Sequence, residues 1–539
     1  MHSPSPSEYT AISRLLKAHT SEMTRSVFIL DAYLESRPKR VVGPDYHKAL
    51  GEWLASGLTA ENDLFQWLQE SFSPRSVRRG HFDRARSRAE RRQKNGFWTA
   101  SWREPFQPSD TCQAHPCPQL VFGTGDLAGC HSWTAVFNSR KPKIVSPHEE
   151  WLAALRSFLP IVAEAGNSGI AGSSGTITYD MVTAYAQQAR LPLFVVAPFP
   201  IEAGDQEGSK TIFDGKPPPT LFLTCLTKAV SCSKALRMAC RDRLLALLSD
   251  VHLILELRRN GNLQALLSDQ QTHHPRRQWV LCPERRTAQN AGNFELIERF
   301  PEWSKPLPRV DTGISPSEPP GPAAGRLPQT VVLKEVRWED YLYHYTRSCP
   351  GPWPGQSYRE YLLSLFGAEA LCGHMAVDTL ARILREGRIR AGTRLIRGSQ
   401  AALSWTAHPP REMEAIRWWN KALIRWTFEP YGFAVSRGLL RRRGARPAVY
   451  ARSEDYERIK VSERFRFQRH EAPQSLWKHE REWRMPGDLI LAEVAEGEGF
   501  VFVPDTSDLK RLIHSATLHL PIVVLSQIND HGRIHRCNS

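Results

Sequence analysis

The 539-residue chain contains no run of about eighteen apolar residues, the length a helix needs to cross a bilayer, which excludes an α-helical membrane span. Its first residues, MHSPSPSEYTAISRLLKAH, lack the charged-then-apolar layout of a secretory signal. Cysteine is sparse and irregular: ten residues at no repeating spacing exclude a disulfide scaffold, so reduced thiols and a cytoplasmic location are expected. No pair of histidines is spaced as in H-E-x-x-H. One group, Cys112, His115, Cys117, Cys130 and His131, has ligand chemistry but irregular spacing, and no metal is expected. Internal repeats are missing as well.

What is present is an ordinary globular composition, 41% apolar and 24% charged, in a chain too long for one core. The formal charge is +15, of which residues 331–539 carry +8 and the remainder +7. An excess spread over both halves permits nucleic acid or another polyanion as partner. The densest basic run, Arg75–Lys94, reads first as a solvated helix face or flexible arm, with polyanion binding as the second reading.

The pattern of the chain divides it into four parts. Residues 1–110 have apolar positions three and four apart and read as a helical N-terminal segment. From 119 to 303, short apolar runs such as TAVFNSR, LPLFVVAP, VHLILEL and RQWVLCP alternate with amphipathic stretches, the signature of a parallel sheet flanked by helices. Residues 304–330 are rich in Pro, Gly and Ser and read as a linker. Residues 331–539 mix short helices with many short strands and read as α+β. The fold class is therefore multidomain: helical segment, α/β sheet domain, α+β domain.

In an open parallel sheet, ligands sit beyond the carboxyl ends of the strands. Two loops there have suitable chemistry. FNSRKPK offers Asn138, Ser139 and Arg140, and AGSSGTITYD offers Gly172, Ser173, Ser174, Gly175 and Thr176 ahead of a helix, where backbone N–H groups and the helix dipole favour a phosphate. TAVFNSRKPK, GIAGSSGTITYDMVTAYA and CRDRLLALLSDVHLILELRRNGN resemble the SLOG superfamily, the Rossmann-like group that includes DNA-processing protein A and the lysine-decarboxylase-like enzymes. The resemblance implies a nucleotide-derived signal or nucleic acid as ligand, with Glu256 and Arg258 able to touch it; a plain ion pair is the alternative for those two. Of the PGGxGTxxE loop that hydrolytic relatives carry, SGTITYD keeps at most Gly-Thr, which argues against hydrolysis.

The last part holds YLYHYT, ALSWTAHPP and LWKHEREWRMPGDL. Taken singly these are a core histidine among aromatics, a short strand with Ser404 and Thr406 on one face, and paired carboxylates among arginines, as in cross-strand ion pairs. Alternation along a strand would point Glu480 and Glu482 to the same side. In this order they resemble the ADP-ribosyltransferase fold, nearest the DNA-targeting toxins, and an uncharacterised bacterial group ending in W.WEREWR. The resemblance implies NAD as substrate, bound by His344, Thr346 and Ser404. It implies Glu482 as catalytic carboxylate and Glu480 orienting a macromolecular acceptor: DNA, RNA or protein. A 27-residue stretch, RSCPGPWPGQSYREYLLSLFGAEALCG, departs from that pattern. The combined expectation is a bacterial defence or toxin effector, a sensor joined to a modifying domain. A non-enzymatic nucleic-acid-binding adaptor is the alternative. Assembly as a homo-oligomer is compatible with either.

Overall fold

The computed structural model describes residues 61–71, 79–94, 97–101, 120–125, 132–142, 144–166, 168–199, 220–224, 233–307, 337–367, 372–393, 396–420, 425–471, 477–515 and 520–527, with positions 27, 29, 30, 32, 41, 42, 226, 230 and 231. The five-residue Cys/His group and most of the expected linker lie outside them. The chain forms two compact units, one of Met1–Lys141, His148–Thr312 and Gln356–Gly367, the other of Pro142–Pro147, Gly313–Gly355 and Ala368–Ser539.

In the first unit, helices α1 (Glu61–Ser71) and α2 (Arg79–Lys94) precede the sheet. Residues 79–94 of the basic run form a helix, and among its described side chains only Phe82, Ala85 and Ala89 are buried, one narrow apolar stripe on a charged cylinder. The strands are β1 (Phe97–Ser101), β2 (Leu120–Thr124), β3 (Ser132–Phe137), β4 (Ser168–Ser173), β5 (Leu193–Val196), β6 (Thr220–Thr224), β7 (Val251–Ile254), β8 (Arg277–Val280) and β9 (Ser304–Pro306). Their spatial order is β9-β8-β7-β3-β4-β5-β6-β2-β1. Every pair from β9 to β6 is parallel, while β2 and β1 close one edge antiparallel. Helices α3 (Glu150–Glu164), α4 (Ile177–Gln188), α5 (Lys234–Leu248), α6 (Asn262–His273) and α7 (Ala291–Arg299) connect the parallel strands. The core gathers Trp133, Phe137, Phe194, Leu244, Leu245 and Ile254. Strands buried on both faces read as continuous apolar runs, which is why the alternating pattern was visible in the sequence.

Three features differ from expectation. The strand β1 lies inside the segment read as helical, and β9 lies inside the stretch read as linker; Pro306 is tolerated there because β9 is an edge strand. Gly172 and Ser173 belong to the central strand β4 rather than to a loop. Its glycines are demanded by packing: a Cβ on Gly169 would lie 2.3 Å from the Trp133 ring, and one on Gly172 would lie 2.7 Å from Thr183 Oγ1. The third difference is α8 (Tyr358–Gly367), a helix of the 27-residue stretch that belongs to the first unit. It packs on α3 and α4, and both of its ends are fastened. The Tyr358 hydroxyl donates to Asp180 at 2.8 Å, and Arg156 donates to the Leu365 and Phe366 carbonyls at 2.9 and 2.6 Å. A guanidinium on the last carbonyls of a helix satisfies acceptors that have no partner within it.

The second unit is built on β10 (Tyr341–Tyr345), β11 (Ala402–Thr406), β12 (Gly432–Ser436), β13 (Arg446–Pro447), β14 (Glu482–Pro486), β15 (Gly499–Val503) and β16 (Ile522–Val524). Their order is β13-β14-β11-β10-β12-β15-β16, antiparallel except for β15 and β16. Leu380, Ala381 and Leu384 of α9 (Ala376–Glu386) pack with Leu403, Trp405 and Trp483; Trp338, Tyr343, Tyr345, Phe500 and Phe502 form a second cluster. Helix α9 ends on Gly387 at φ +67, the left-handed cap its position in the sequence announces.

Candidate functional site

In the first unit the chain runs β3, β4, β5, β6 outward to one side and then returns to place β7 beside β3. The carboxyl ends of β3 and β7 therefore flank the switch point at which such sheets bind ligands. Asn138, Ser139, Arg140, Glu256 and Arg258 come together there. The Ser139 amide donates to the Glu256 carbonyl at 2.7 Å, and the Arg258 amide donates to Ser139 Oγ at 2.9 Å. Lys141 pairs closely with the Glu256 carboxylate, so Glu256 is held by the protein itself. Asn138 is buried; its amide nitrogen donates to Thr178 at 3.1 Å, while its Oδ1 has no partner among the described residues. Arg140 and Arg258 are exposed and give the crevice its positive edge.

The turn Ser174–Thr176 at the start of α4 is filled differently from what a phosphate loop requires. Gly175 takes φ +95, and its amide donates to Asp180 Oδ1 at 3.0 Å. Thr176 caps the helix through the Tyr179 amide, Ser173 Oγ donates to the Val196 carbonyl at 2.6 Å, and Arg241 donates to the Ser174 carbonyl at 2.9 Å. The anion at this helix end is the chain's own Asp180. Burial pushes its carboxyl up to about 6, against the lowering influence of Tyr358, the Gly175 amide and Arg241. Arg241 lies in the quoted CRDRLLALLSD stretch without having been singled out, and Tyr358 carried no motif.

In the second unit, β14, β11 and β10 lie side by side and line a cavity of about 490 Å³. All five residues expected to act there, His344, Thr346, Ser404, Glu480 and Glu482, line it. Strands β10 and β11 pair only at Tyr343 and Thr406, and the ring of His344 takes over where their ladder is missing. Its Nδ1 lies 2.9 Å from the Ser404 carbonyl. A carbonyl only accepts, so Nδ1 carries the hydrogen and Nε2 keeps its lone pair. Burial pushes this imidazole down to about 4, so it is neutral at physiological pH.

Register places Ser404 opposite Arg484 and Thr406 opposite Glu482. The diagonal neighbours meet: Ser404 Oγ donates to Glu482 Oε1 at 2.8 Å. Arg484, 2% exposed, grips Glu482 with Nε at 2.9 Å and Nη2 at 3.2 Å. Its Nη1 donates to the Phe465 and Phe467 carbonyls at 3.1 and 2.6 Å. The ion pair is thus within one strand, two residues apart, rather than across strands. Thr346 differs from expectation: its hydroxyl is spent on the Ala376 carbonyl at 3.0 Å, anchoring the start of α9.

Glu480 does not lie on the strand. It ends a 3-10 turn, Trp477–Glu480, and Arg481 at φ +46 swings the chain so that both carboxylates still line the cavity. Burial pushes the Glu480 carboxyl up to about 7; nearby Glu482 adds to the rise, while Arg347 and Arg484 oppose it. Arg347, directly after the YHYT strand, was not singled out from sequence, although adjacency was the available signal. Arg382 and Arg390 both pair with Glu386, at 2.8 and 2.6 Å. Five arginines and three glutamates line the cavity, so with neutral His344 its net charge is +2 when all three carboxylates are ionised. Such a lining suits an anionic ligand.

No family model matches the sequence, and no curated protein matches it. Among solved structures, DNA processing protein A from Helicobacter pylori, described for its single-stranded DNA binding mode, is 20% identical with a TM-score of 0.28, over 38% of this chain and 90% of that one. DNA processing protein A from Streptococcus pneumoniae is 15% identical with a TM-score of 0.31, over 55% of this chain and 94% of that one.

Proposed function

We propose that the second unit binds NAD in this cavity and transfers ADP-ribose to a macromolecular acceptor, DNA, RNA or protein. The observation that carries the reading is the convergence of His344, Ser404, Glu480 and Glu482, from three separate stretches of sequence, on one cationic cavity. The volume is that of a small-molecule site, and the +2 lining offsets a diphosphate. His344 Nε2 accepts from a ribose hydroxyl or the carboxamide. Glu482, held by Arg484 and Ser404, stabilises the positive charge that develops on the sugar as the bond to nicotinamide breaks. Nicotinamide leaves with the bonding electron pair, the acceptor bonds to the anomeric carbon, and its proton passes to Glu480. A carboxyl near 7 is matched to that task at neutral pH.

For the first unit we infer a nucleotide-derived or nucleic-acid ligand at the switch point. The exposed Arg140 and Arg258 and the seven basic against two acidic residues of α2 support a polyanion. Together the units form a two-part effector, a ligand-sensing unit joined to a modifying one.

The test is incubation of the full chain with labelled NAD and protein, DNA and RNA acceptors. Glu482→Gln is expected to lower labelling on the order of 10²–10³-fold while the chain stays folded. Full labelling by that variant would end the transferase reading. Steeply salt-dependent nucleic-acid binding without any NAD turnover would favour the adaptor.

A further inference from the structure

The antiparallel ladder between β11 and β14 ends where Thr406 faces Glu482. Beyond that pair, three successive residues donate to three carbonyls of the opposite chain. Thr406 Oγ1 reaches Glu480 O at 2.5 Å, the Ala407 amide reaches Arg481 O at 3.2 Å, and His408 Nε2 reaches His479 O at 2.7 Å. Two of these bonds come from side chains, so the ladder is continued where backbone pairing stops. The segment they hold is not a relaxed turn: Arg481 sits at φ +46, a conformation disfavoured for any residue with a Cβ. Something must hold it, and these bonds are in place to do so.

His408 is itself fixed from both ends. Its Nδ1 lies 2.9 Å from Glu412 Oε2, and its own carbonyl accepts from the Tyr345 hydroxyl at 3.0 Å. Its side chain is 14% exposed, so the ring is packed rather than free to swing. We propose that His408, oriented by Glu412, is a positioning residue that clamps the Trp477–Arg481 turn and so aims Glu480 and Glu482 together into the cavity. The role assigned to that pair rests on the transferase reading; the clamp itself is a statement about geometry.

The test compares His408→Ala and His408→Gln in the full chain. A glutamine side-chain amide can still donate to the His479 carbonyl, whereas alanine cannot. His408→Ala is expected to lower kcat for labelling on the order of 100-fold, as misplacing a reacting group does, with little change in KM for NAD. His408→Gln is expected to recover most of the loss. A second readout needs no turnover: the Glu480 carboxyl is titrated by difference infrared spectroscopy, with Glu480→Gln supplying the assignment. In the wild type it should titrate near 7, and in His408→Ala it should move toward the ordinary 4.5, because the released turn exposes it to water. If the wild type transfers nothing, the transferase reading falls and the infrared titration alone decides the clamp. Wild-type titration of Glu480 in His408→Ala would overturn the proposal, as would a His408→Gln chain as impaired as His408→Ala.

Discussion

Replacing Glu480 by glutamine should make the second unit more stable at alkaline pH while removing the group to which the proposed transfer assigns the proton. Folded Glu480 titrates near 7, against 4.5 for an ordinary glutamate, chiefly because the cavity withholds water from its charged form. Between those two values the native state holds the proton and the unfolded state does not. Stability therefore falls as pH rises from 4.5 through 7, and above 7 the loss is complete. The gap corresponds to roughly 3 kcal/mol at about 1.4 kcal/mol per tenfold. Glutamine keeps the shape of the neutral carboxyl and never ionises. The Glu480→Gln chain should then match the wild type near pH 4.5 and exceed it by about 2–3 kcal/mol at pH 8. Urea unfolding followed by tryptophan fluorescence reads this directly, since Trp405 and Trp483 lie in the core of the unit. With slopes of about 1–3 kcal/mol per molar urea, the midpoint of that transition should rise by about 1 M at pH 8. Other titrating groups, Asp180 included, cancel between variant and wild type compared at one pH. Equal midpoints at pH 8 would refute the assignment of a strained, desolvated carboxylate at this position.

Two further substitutions probe the packing beneath the sites. Arg484→Met removes the cation paired with Glu482, leaving that carboxylate only the Ser404 hydroxyl, and takes the Arg484 donor from the Phe465 and Phe467 carbonyls; it should cost about 3–5 kcal/mol in urea unfolding, and adding Glu482→Gln should restore part of it. Gly169→Ala places a methyl group 2.3 Å from the Trp133 ring in the middle of the parallel sheet and should cost about 1–3 kcal/mol by thermal unfolding; no change in midpoint would show that Trp133 can move aside.

The parallel sheet was legible because its strands are apolar on both faces, as in LFVV of β5, so burial and sequence pattern coincide. Strand β4 was not, since SGIAGS owes its glycines to Trp133 and Thr183, which are distant in sequence and unknowable from a local pattern. The C-terminal residues do line one cavity, but not for the reason expected. Alternation was expected to align Glu480 with Glu482, yet Glu480 precedes the strand, and the left-handed Arg481 brings it round instead. A backbone state held by Thr406, Ala407 and His408 has no signature within EREW itself. Helix α8 was not read from the sequence, where its stretch figured only as a departure from the pattern, and nothing in YREYLLSLFG tells which unit its buried Tyr361, Leu362 and Leu365 will meet.

That helix also decides how the gene for this protein can be cut or recombined. A polypeptide that lends Gln356–Gly367 to the other unit and then returns is interlaced, and no single breakpoint separates its halves cleanly. A fragment starting after the proline-rich stretch would carry three apolar side chains with nothing to cover them, an invitation to aggregate. The complementary fragment would lose the hydroxyl that answers Asp180 and the carbonyls that answer Arg156. The two units are thus bound to be inherited together, and exchanging one for another lineage's counterpart requires breakpoints on both sides of Gln356–Gly367 and of Pro142–Pro147 as well as one between the units.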